Sequence, residues 1–512
     1  MYRKTTEKIK KSSVKKPAGK RAAAAAVRTA RPPLGQEYKP GEKDLGVLAQ
    51  KSRAAVNQTV RGMHDRLPAE EPFWNLLESR ALEMMSSFGY GRVETPILEE
   101  KSLFVRGLGD FTDVVQKEMY CFKDQGGEEV CLRPEATASV ARAYINHGML
   151  NLPQPVKLWY WGPFFRRERP QAGRFRQFHQ WGIEILGDAH PVLDAEVISI
   201  ALAFFKEVNL PVRLEINSIG CNDCRPAYVQ TLTDFYGQKR ELLCGSCKVR
   251  IEHNPLRLLD CKEVQCALLK EGAPQIVDTL CEACRGHFMQ VLEYLEELSI
   301  SYEVNAYLVR GLDYYSRTVF EIFPGEGKEV RGGKEVSGKD EGQADGGGEA
   351  GKAGADEKAS EEPEKLMGAQ SALGSGGRYD GLVEYLGGRP TPAVGFAVGL
   401  ERVVACLRRR GDPPAPKYAP RIFIAQLGEA ARRRAFALWH DLRAQIPVAV
   451  SFSKDGLKAQ LEIANRLGVR YAVIIGQKEI IDKTAIIRDM EAGMQEVVDY
   501  NKIVSAIKKK LE

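Results

Sequence analysis

The sequence predicts an α+β chain built from several domains, on three observations. Between about 92 and 187, short β-branched and aromatic runs alternate with turns; runs of this kind read as strands. From 421 onward, strand and helix signals alternate regularly, as in a small parallel or mixed sheet covered by helices. The length, 512 residues, exceeds one ordinary domain and suits about two to four.

Taken in order, residues 1 to about 55 are basic and lack the apolar centre of a secretory signal. They read as a disordered arm able to touch RNA phosphates; their Arg and Ala content also allows an organellar transit peptide. A helical period starts near Glu71, with Phe73, Leu76, Leu77, Ala81, Met84 and Met85 on one face. Gly89 and Gly91 stop it, and RVETPILEE (92–100) reads as a strand interrupted by Pro96. VCLRP (130–134) and KLWYWGPFFR (157–166) are strand signals, Asp194 to about Val208 is helical, and VRLEINSIG (212–220) is a strand.

Residues 221–298 stand apart as a block ending in the amphipathic run HFMQVLEYLEEL; strands return at SYEVNAYLV and TVFEIF. Residues 325–370 are dominated by Gly, Glu, Lys, Ala and Asp. They hold too few large apolar residues to bury a core and are expected to be disordered. Within them GGGEAGK (346–352) imitates a phosphate-binding loop, but Ala353 stands where Ser or Thr should hold magnesium and no strand precedes it. GSGGRYDGLVEYLGG and TPAVGFAVGLERVVACLRRR then lead from turn to strand to helix, and the prolines of PPAPKYAP (413–420) mark a linker. RIFIAQ, ARRRAFALWHDLRAQ, VAVSFS, LKAQLEIANRLG and YAVIIG alternate strand and helix to the end of that pattern. The expected domains are an arm at 1–55, a core at 56–410 carrying the 221–298 and 325–370 inserts, a linker at 411–420 and a final domain at 421–512.

The bulk numbers exclude little but orient the rest. Hydrophobic residues make up 44% and charged residues 28%, an ordinary globular balance, and the net charge of +6 permits nucleic-acid binding without demanding it. No apolar run approaches the roughly 18 residues of a membrane span. The 11 cysteines are odd in number, and six fall in C-x-x-C pairs. Without a secretory signal this reads as metal ligation in a reducing compartment, the cytoplasm, rather than as a disulfide framework.

The densest chemistry lies in GPFFRRERPQAGRFRQFHQWGIE (162–184). Arg166, Arg167 and Arg169 cannot all be paired by Glu168, and arginine suits bidentate phosphate contact and stacking on a planar ring. A strand, a basic loop at QAGR and a returning strand would cup a nucleotide triphosphate; a salt-bridged surface hairpin is the other reading. In LRPEATA (132–138), Glu135 and Thr137 as alternate residues on an extended segment would face the same way and grasp an ammonium group. They would equally serve as the start of a helix. LVRGLDYYSRTVFE (308–321) gathers Arg310, Asp313, Tyr314 and Tyr315. Arg310 could neutralise charge developing on a phosphoryl group, and the tyrosines could wall a small planar ligand or pack in the core.

Together these pieces resemble the histidyl-tRNA synthetases, which are class II aminoacyl-tRNA synthetases. RGMHDRLP (61–68), DVVQKEMY (113–120), LRPEATA, FRRERPQAGRFRQFHQWGIE, LVRGLDYYSRTVFE, GGRYDGL (376–382) and TPAVGFAVGLER (391–402) match that family's pattern in order. The resemblance implies a class II antiparallel sheet core flanked by helices, an inserted helical subdomain and a C-terminal α/β anticodon-binding domain. It implies a histidine–tRNA ligase that makes histidyl-adenylate from L-histidine and ATP, with Mg2+ accompanying ATP, and passes histidine to tRNA(His). The segment ending at Pro96 would build a homodimer interface.

Residue by residue, the resemblance gives Arg166 and Arg310 catalytic roles at the α-phosphate, Arg310 partly replacing a metal ion. Glu135 and Thr137 match the residues that bind the histidine ammonium, and Gln180, Glu184, Tyr314 and Tyr315 match the histidine pocket. Arg166 would also contact the histidine carboxylate; Glu168, Arg174 and Arg402 would hold ATP. Arg432 to Arg434, Lys454 and Lys458 suit tRNA phosphates, or a solvated helix face.

The chain departs from the pattern at Ala136, where Gly is commoner, in the basic arm, in the 325–370 insert and in the cysteine block. Cys221-x2-Cys224, then 19 residues, then Cys244-x2-Cys247 has four-thiolate zinc spacing. These four are the first choice for a structural zinc, although Cys261, Cys266, Cys281 and Cys284 offer further ligands; buried thiols without metal are the other reading. The rival function is a non-catalytic histidine-binding paralogue, the regulatory subunit of ATP phosphoribosyltransferase.

Overall fold

The computed structural model describes residues 57–109, 112–170, 173–325, 372–411, 414 and 419–511. The expected arm at 1–55, the phosphate-loop imitation at 346–352 and nearly all of the 325–370 stretch and the 411–420 linker lie outside the described residues. Thr59–Glu512 forms one of the chain's two compact units, and the site lies wholly within it.

Helix α1 (Glu71–Ser87) carries Pro72 in its first turn, where a missing N–H costs nothing, and buries Phe73, Trp74, Leu77, Ala81, Met84 and Met85. The predicted strand at 92–100 is split around Pro96 into β1 (Gly91–Arg92) and β2 (Leu98–Glu100), and the two halves join different sheets. Next come α2 (Lys101–Leu108), β3 (Tyr120–Lys123), β4 (Glu129–Leu132), α3 (Thr137–Asn146), β5 (Val156–Phe165), β6 (Gln177–Leu186), α4 (Val192–Glu207) and β7 (Val212–Ser218). The cysteine block is helical, with α5 (Arg225–Gly237), α6 (Gly245–His253), α7 (Val264–Lys270) and α8 (Glu282–Glu297). The core resumes with β8 (Glu303–Val304), β9 (Ser316–Pro324), β10 (Gly374–Arg378), α9 (Leu382–Tyr385), β11 (Ala393–Gly399) and α10 (Leu400–Arg409).

The eight-stranded sheet runs β1-β5-β6-β11-β10-β9-β7-β8. Every neighbouring pair is antiparallel except β1–β5 and β7–β8 at the two edges. Trp181 of β6 is fully buried between Phe204 of α4, at 4.3 Å between ring centres, and Phe396 of β11, at 5.2 Å. A smaller sheet, β2-β4-β3, packs alongside. One expectation is corrected: SYEVNAYLV gives only the two residues of β8. The Asn217 amide takes the carbonyls of Ala306 and Leu308, at 3.2 and 3.0 Å, so the chain turns instead of extending.

The last domain holds β12 (Ile422–Gln426), α11 (Glu429–Leu442), β13 (Val448–Val450), α12 (Leu457–Arg466), β14 (Tyr471–Ile475), α13 (Gln477–Asp482), β15 (Thr484–Asp489), β16 (Gln495–Asp499) and α14 (Ile503–Leu511). Its mixed sheet runs β13-β12-β14-β15-β16, parallel over the first three strands. Along β12, Ile422 and Ile424 face α11 and α14, while Phe423 and Ala425 face α12. That period-two alternation is why the run reads as a strand covered on both sides.

Candidate active site

Glu184 sits on β6 in the middle of the main sheet with 1% of its surface exposed. Thr137 Oγ1 donates to its Oε1 at 2.8 Å, and the Tyr379 hydroxyl donates to its Oε2. Burial raises the Glu184 carboxyl to about 8, against the pull of those two donors and with a push from neighbouring Glu135. Four residues earlier on the same face, Gln180 has a buried Oε1 that accepts no hydrogen bond. An unmade bond to a buried acceptor costs about 1–3 kcal/mol, so a ligand donor would be welcome there.

Glu135 and Thr137 reach this pocket by a different geometry from the extended one expected. They start α3: Glu135 accepts from the backbone N–H of Thr137 at 2.7 Å and of Ala138 at 2.9 Å, capping the helix. A carboxylate there satisfies orphan donors and meets the positive end of the helix dipole. Burial nevertheless raises the Glu135 carboxyl, with Arg166 pulling the other way. Tyr314 and Tyr315 pack ring to ring at 4.7 Å, and Tyr314 meets Tyr379 edge-on at 5.6 Å. Burial, ahead of the nearby charges, raises all three phenols.

The arginines divide into two groups. Arg310 lies over the Tyr315 ring at 5.4 Å, pairs with Glu321 of β9 and donates to Ser375 Oγ of β10 at 2.6 Å. Its Nε is buried without a partner. Arg166 leaves β5 with its Nε on the Pro134 carbonyl at 2.9 Å and its guanidinium over Phe178. Glu168 answers Arg166 at 3.9 Å and Arg174 at 3.2 Å. Arg402, the third residue of α10, reaches the Gly173 carbonyl at 2.8 Å and the Ala372 carbonyl at 2.5 Å. Burial lowers its pKa first, and the fields of Arg174 and Arg166 lower it further. Three guanidiniums gathered around one carboxylate leave an excess of positive charge, as a polyphosphate requires. Beside them, Arg61, Lys117, Arg167, Arg169 and Arg176 join Glu168 around a cleft of about 640 Å³.

The structure thus brings Glu135, Thr137, Glu184, Tyr314 and Tyr315 together, with Gln180 on the same strand face, Arg310 stacked on Tyr315, and Arg166, Glu168, Arg174 and Arg402 on the cationic side. Sequence reasoning missed Tyr379, Glu321, Ser375 and Glu401. Tyr379 lies inside the quoted GGRYDGL, but nothing in one sequence links it to Glu184, 195 residues away. Glu401 accepts the His179 backbone N–H and contacts its ring Nδ1 at 2.9 Å, fixing β6 to α10.

The expected zinc quartet is corrected. Cys221, Cys224, Cys244 and Cys247 do not form one group: Cys221 and Cys224 gather with Cys281 and Cys284, and Cys244 and Cys247 with Cys261 and Cys266. The physical reason is α5, whose 13 residues carry the chain roughly 20 Å onward, while the stretch after it, through α6 and α7, returns to set Cys281 and Cys284 at the start of α8 beside the first pair. In the last domain, Arg432 is engaged by Glu429 and Asp455, and Arg434 lies over the Tyr500 ring at 3.8 Å.

Residues 62–222 match the family model described as histidyl-tRNA synthetase, and residues 421–510 the model described as anticodon binding domain. A Dehalococcoides mccartyi protein named histidine–tRNA ligase is 42% identical, over 89% of this chain and all of that protein. One of the same name from Pelotomaculum thermopropionicum is 43% identical, over 88% of this chain and 97% of that protein. The crystal structure of apo S. aureus histidyl-tRNA synthetase superimposes with a TM-score of 0.67 at 30% identity, covering 88% of this chain and 99% of that one.

Proposed function

The chain belongs to the histidyl-tRNA synthetase family, and we propose that the buried pocket around Glu184 is its histidine site and the adjoining arginines its ATP site. The activity is aminoacylation: histidine and ATP give histidyl-adenylate and pyrophosphate, and the histidyl group passes to tRNA. The observation that carries the site assignment is the buried Glu184 carboxyl, fixed by Thr137 and Tyr379 on the face that also presents Gln180.

In this reading Glu184 accepts an imidazole N–H, and the unpartnered Gln180 oxygen, with Glu135 and Thr137, takes the ammonium group. A site that leaves polar groups unpaired around a wrong side chain rejects it by roughly 10⁴-fold or more. The histidine carboxylate attacks the α-phosphorus in line, so no covalent enzyme intermediate is needed. Catalysis is then positioning and charge stabilisation. Arg166 bridges the α-phosphate and the histidine carboxylate, Arg310 stabilises the charge that develops opposite, and Arg402 and Arg174 hold the outer phosphates. Arg310 is braced for this by Glu321 and Ser375, and a braced donor reorganises little during reaction.

Magnesium is assigned to the ATP phosphates instead of to a resident protein site. Glu321 is taken by Arg310 and Glu401 by His179, and the metal-ligating groups found among the described residues are the two cysteine sets. Structural zinc belongs to the cysteine sets of the inserted subdomain. The five-cation cleft suits the phosphates of the tRNA end, and the last domain the anticodon of tRNA(His). The protein is proposed to act as a cytoplasmic homodimer. In support of the dimer, the β2-β4-β3 sheet and its approach present Ile97, Leu98 and Phe122 to solvent at 44, 44 and 50% exposure, an apolar face that a second copy would cover. No described helix is long and apolar enough to cross a membrane.

The regulatory-subunit alternative is weaker, because relatives matching nearly the whole chain carry the ligase name. ATP–pyrophosphate exchange with each of the twenty amino acids, followed by charging of tRNA(His), tests the assignment. Exchange with histidine alone is expected. Tight histidine binding without exchange would return the alternative.

A further inference from the structure

We infer that the inserted subdomain binds two zinc ions, each in its own four-thiolate site: one at Cys221, Cys224, Cys281 and Cys284, the other at Cys244, Cys247, Cys261 and Cys266. Within each set, all four Sγ atoms lie within 4.8 Å of one another. Cys221 Sγ stands 3.8 Å from Cys224 Sγ and 3.9 Å from Cys281 Sγ, and Cys244 Sγ stands 3.8 Å from Cys261 Sγ. A disulfide needs about 2.05 Å, so these are not bonded pairs. A tetrahedral zinc with Zn–S of about 2.3 Å sets its sulfurs about 3.8 Å apart, which is the spacing of these three pairs. Thiolates around a multi-iron cluster would stand further apart than the edge of a single-ion tetrahedron.

Backbone donors also converge on the sulfurs. The backbone N–H of Cys221 points at Cys224 Sγ at 3.3 Å, that of Cys247 at Cys244 Sγ at 3.4 Å, and that of Cys244 at Cys266 Sγ at 3.3 Å. Such donors orient metal-bound sulfur and support its negative charge. Gly220, at a φ of +67°, leaves the space beside Cys224: a Cβ there would lie 2.7 Å from the sulfur. Buried cysteines that serve only as small apolar residues need no such convergence.

The two sites have different mechanical roles. The first joins cysteines 60 residues apart, where the subdomain leaves β7 and where α8 starts, so it closes the loop of the subdomain between them. Next to it, Arg225 donates to the carbonyls of Gly220 at 3.1 Å and Tyr315 at 2.6 Å, tying that fastening to the tyrosine wall of the pocket. The second site lies inside the subdomain and fixes the start of α6, whose Arg250 reaches Asp113 at 3.1 Å. Neither set has a free coordination position, so both ions are structural.

The test is metal analysis of the full chain purified without chelator. Two zinc ions per chain are expected, falling to one in Cys281→Ser, to one in Cys261→Ser and to none in the double variant. Cobalt substitution should give thiolate charge-transfer absorption that saturates at two equivalents, a readout that survives if a variant fails to fold. One zinc or none in the wild type, iron in place of zinc, or disulfides within either set in the unreduced chain overturns the proposal. So does retention of full zinc in both single variants. The metal count is independent of the aminoacylation assay, so the failure of one leaves the other standing.

Discussion

Gly395 of β11 lies directly opposite Glu184 of β6, and the space that a Cβ at Gly395 would need is filled by the Glu184 carboxylate. The neighbouring strand thus makes room for the buried acid by having no side chain. Gly395→Ala is expected to push Glu184 away from Thr137 and Tyr379 and to raise the KM for histidine in pyrophosphate exchange about tenfold, since leaving a buried polar group unsatisfied costs about 1–3 kcal/mol. An unchanged KM would remove Glu184 from the histidine site.

Glu184 also gives a pH signature. Its carboxyl titrates near 8 in the folded chain, against a model-compound value of 4.5. Between these values the folded state holds the proton that the unfolded chain releases. Its contribution to stability is therefore full below about pH 4.5 and is lost as the pH rises through about 8. Glu184→Gln should lose less stability than wild type between pH 5 and pH 8 in urea titrations. Parallel wild-type and variant curves would mean that the acid is not held protonated. The same variant should lose histidine-dependent exchange by more than about a hundredfold.

Arg310→Ala removes the cation braced by Glu321 and Ser375 and leaves the half-buried Glu321 without its partner. Exchange with histidine is expected to fall by more than about a hundredfold, carried mainly by kcat. A loss confined to KM would assign Arg310 to ground-state binding alone.

Arg378 and Asp194 form a pair with fully buried side chains, 2.5 Å apart, reinforced by His287 at 3.3 Å. Burial would raise the Asp194 carboxyl, but Arg378 and His287 hold it below its ordinary value. Arg378→Met strands that charge and should destabilise the chain by about 3–5 kcal/mol in urea denaturation. A loss below about 1 kcal/mol would show that Asp194 finds another partner.

Much of this was legible in the chain itself. The apolar period of α1, the break at Pro96 and the alternation of β12 are local, and local pattern fixes local structure when one face must be buried. The arginine-rich hairpin from Phe164 to Glu184 is likewise a short-range feature, an excess of cation that suits an anion. The extended reading of Glu135 and Thr137 failed because a two-residue alternation and a helix start look alike until the orphan N–H groups of α3 are counted. The zinc quartet failed because C-x-x-C spacing names half-sites, and the helices between them choose which halves meet.

The sequence by itself determined the kinds of element, the cationic hairpin and the thiol half-sites, because each depends on neighbours within a few turns. Only the tertiary structure decided that Tyr379 and Thr137 share Glu184, that Gly395 leaves room for it, that Glu321 braces Arg310, and that Cys221 answers Cys281 and not Cys244. Those choices are made between residues far apart in the chain, where burial in a common core, and not local preference, sets which groups must satisfy one another.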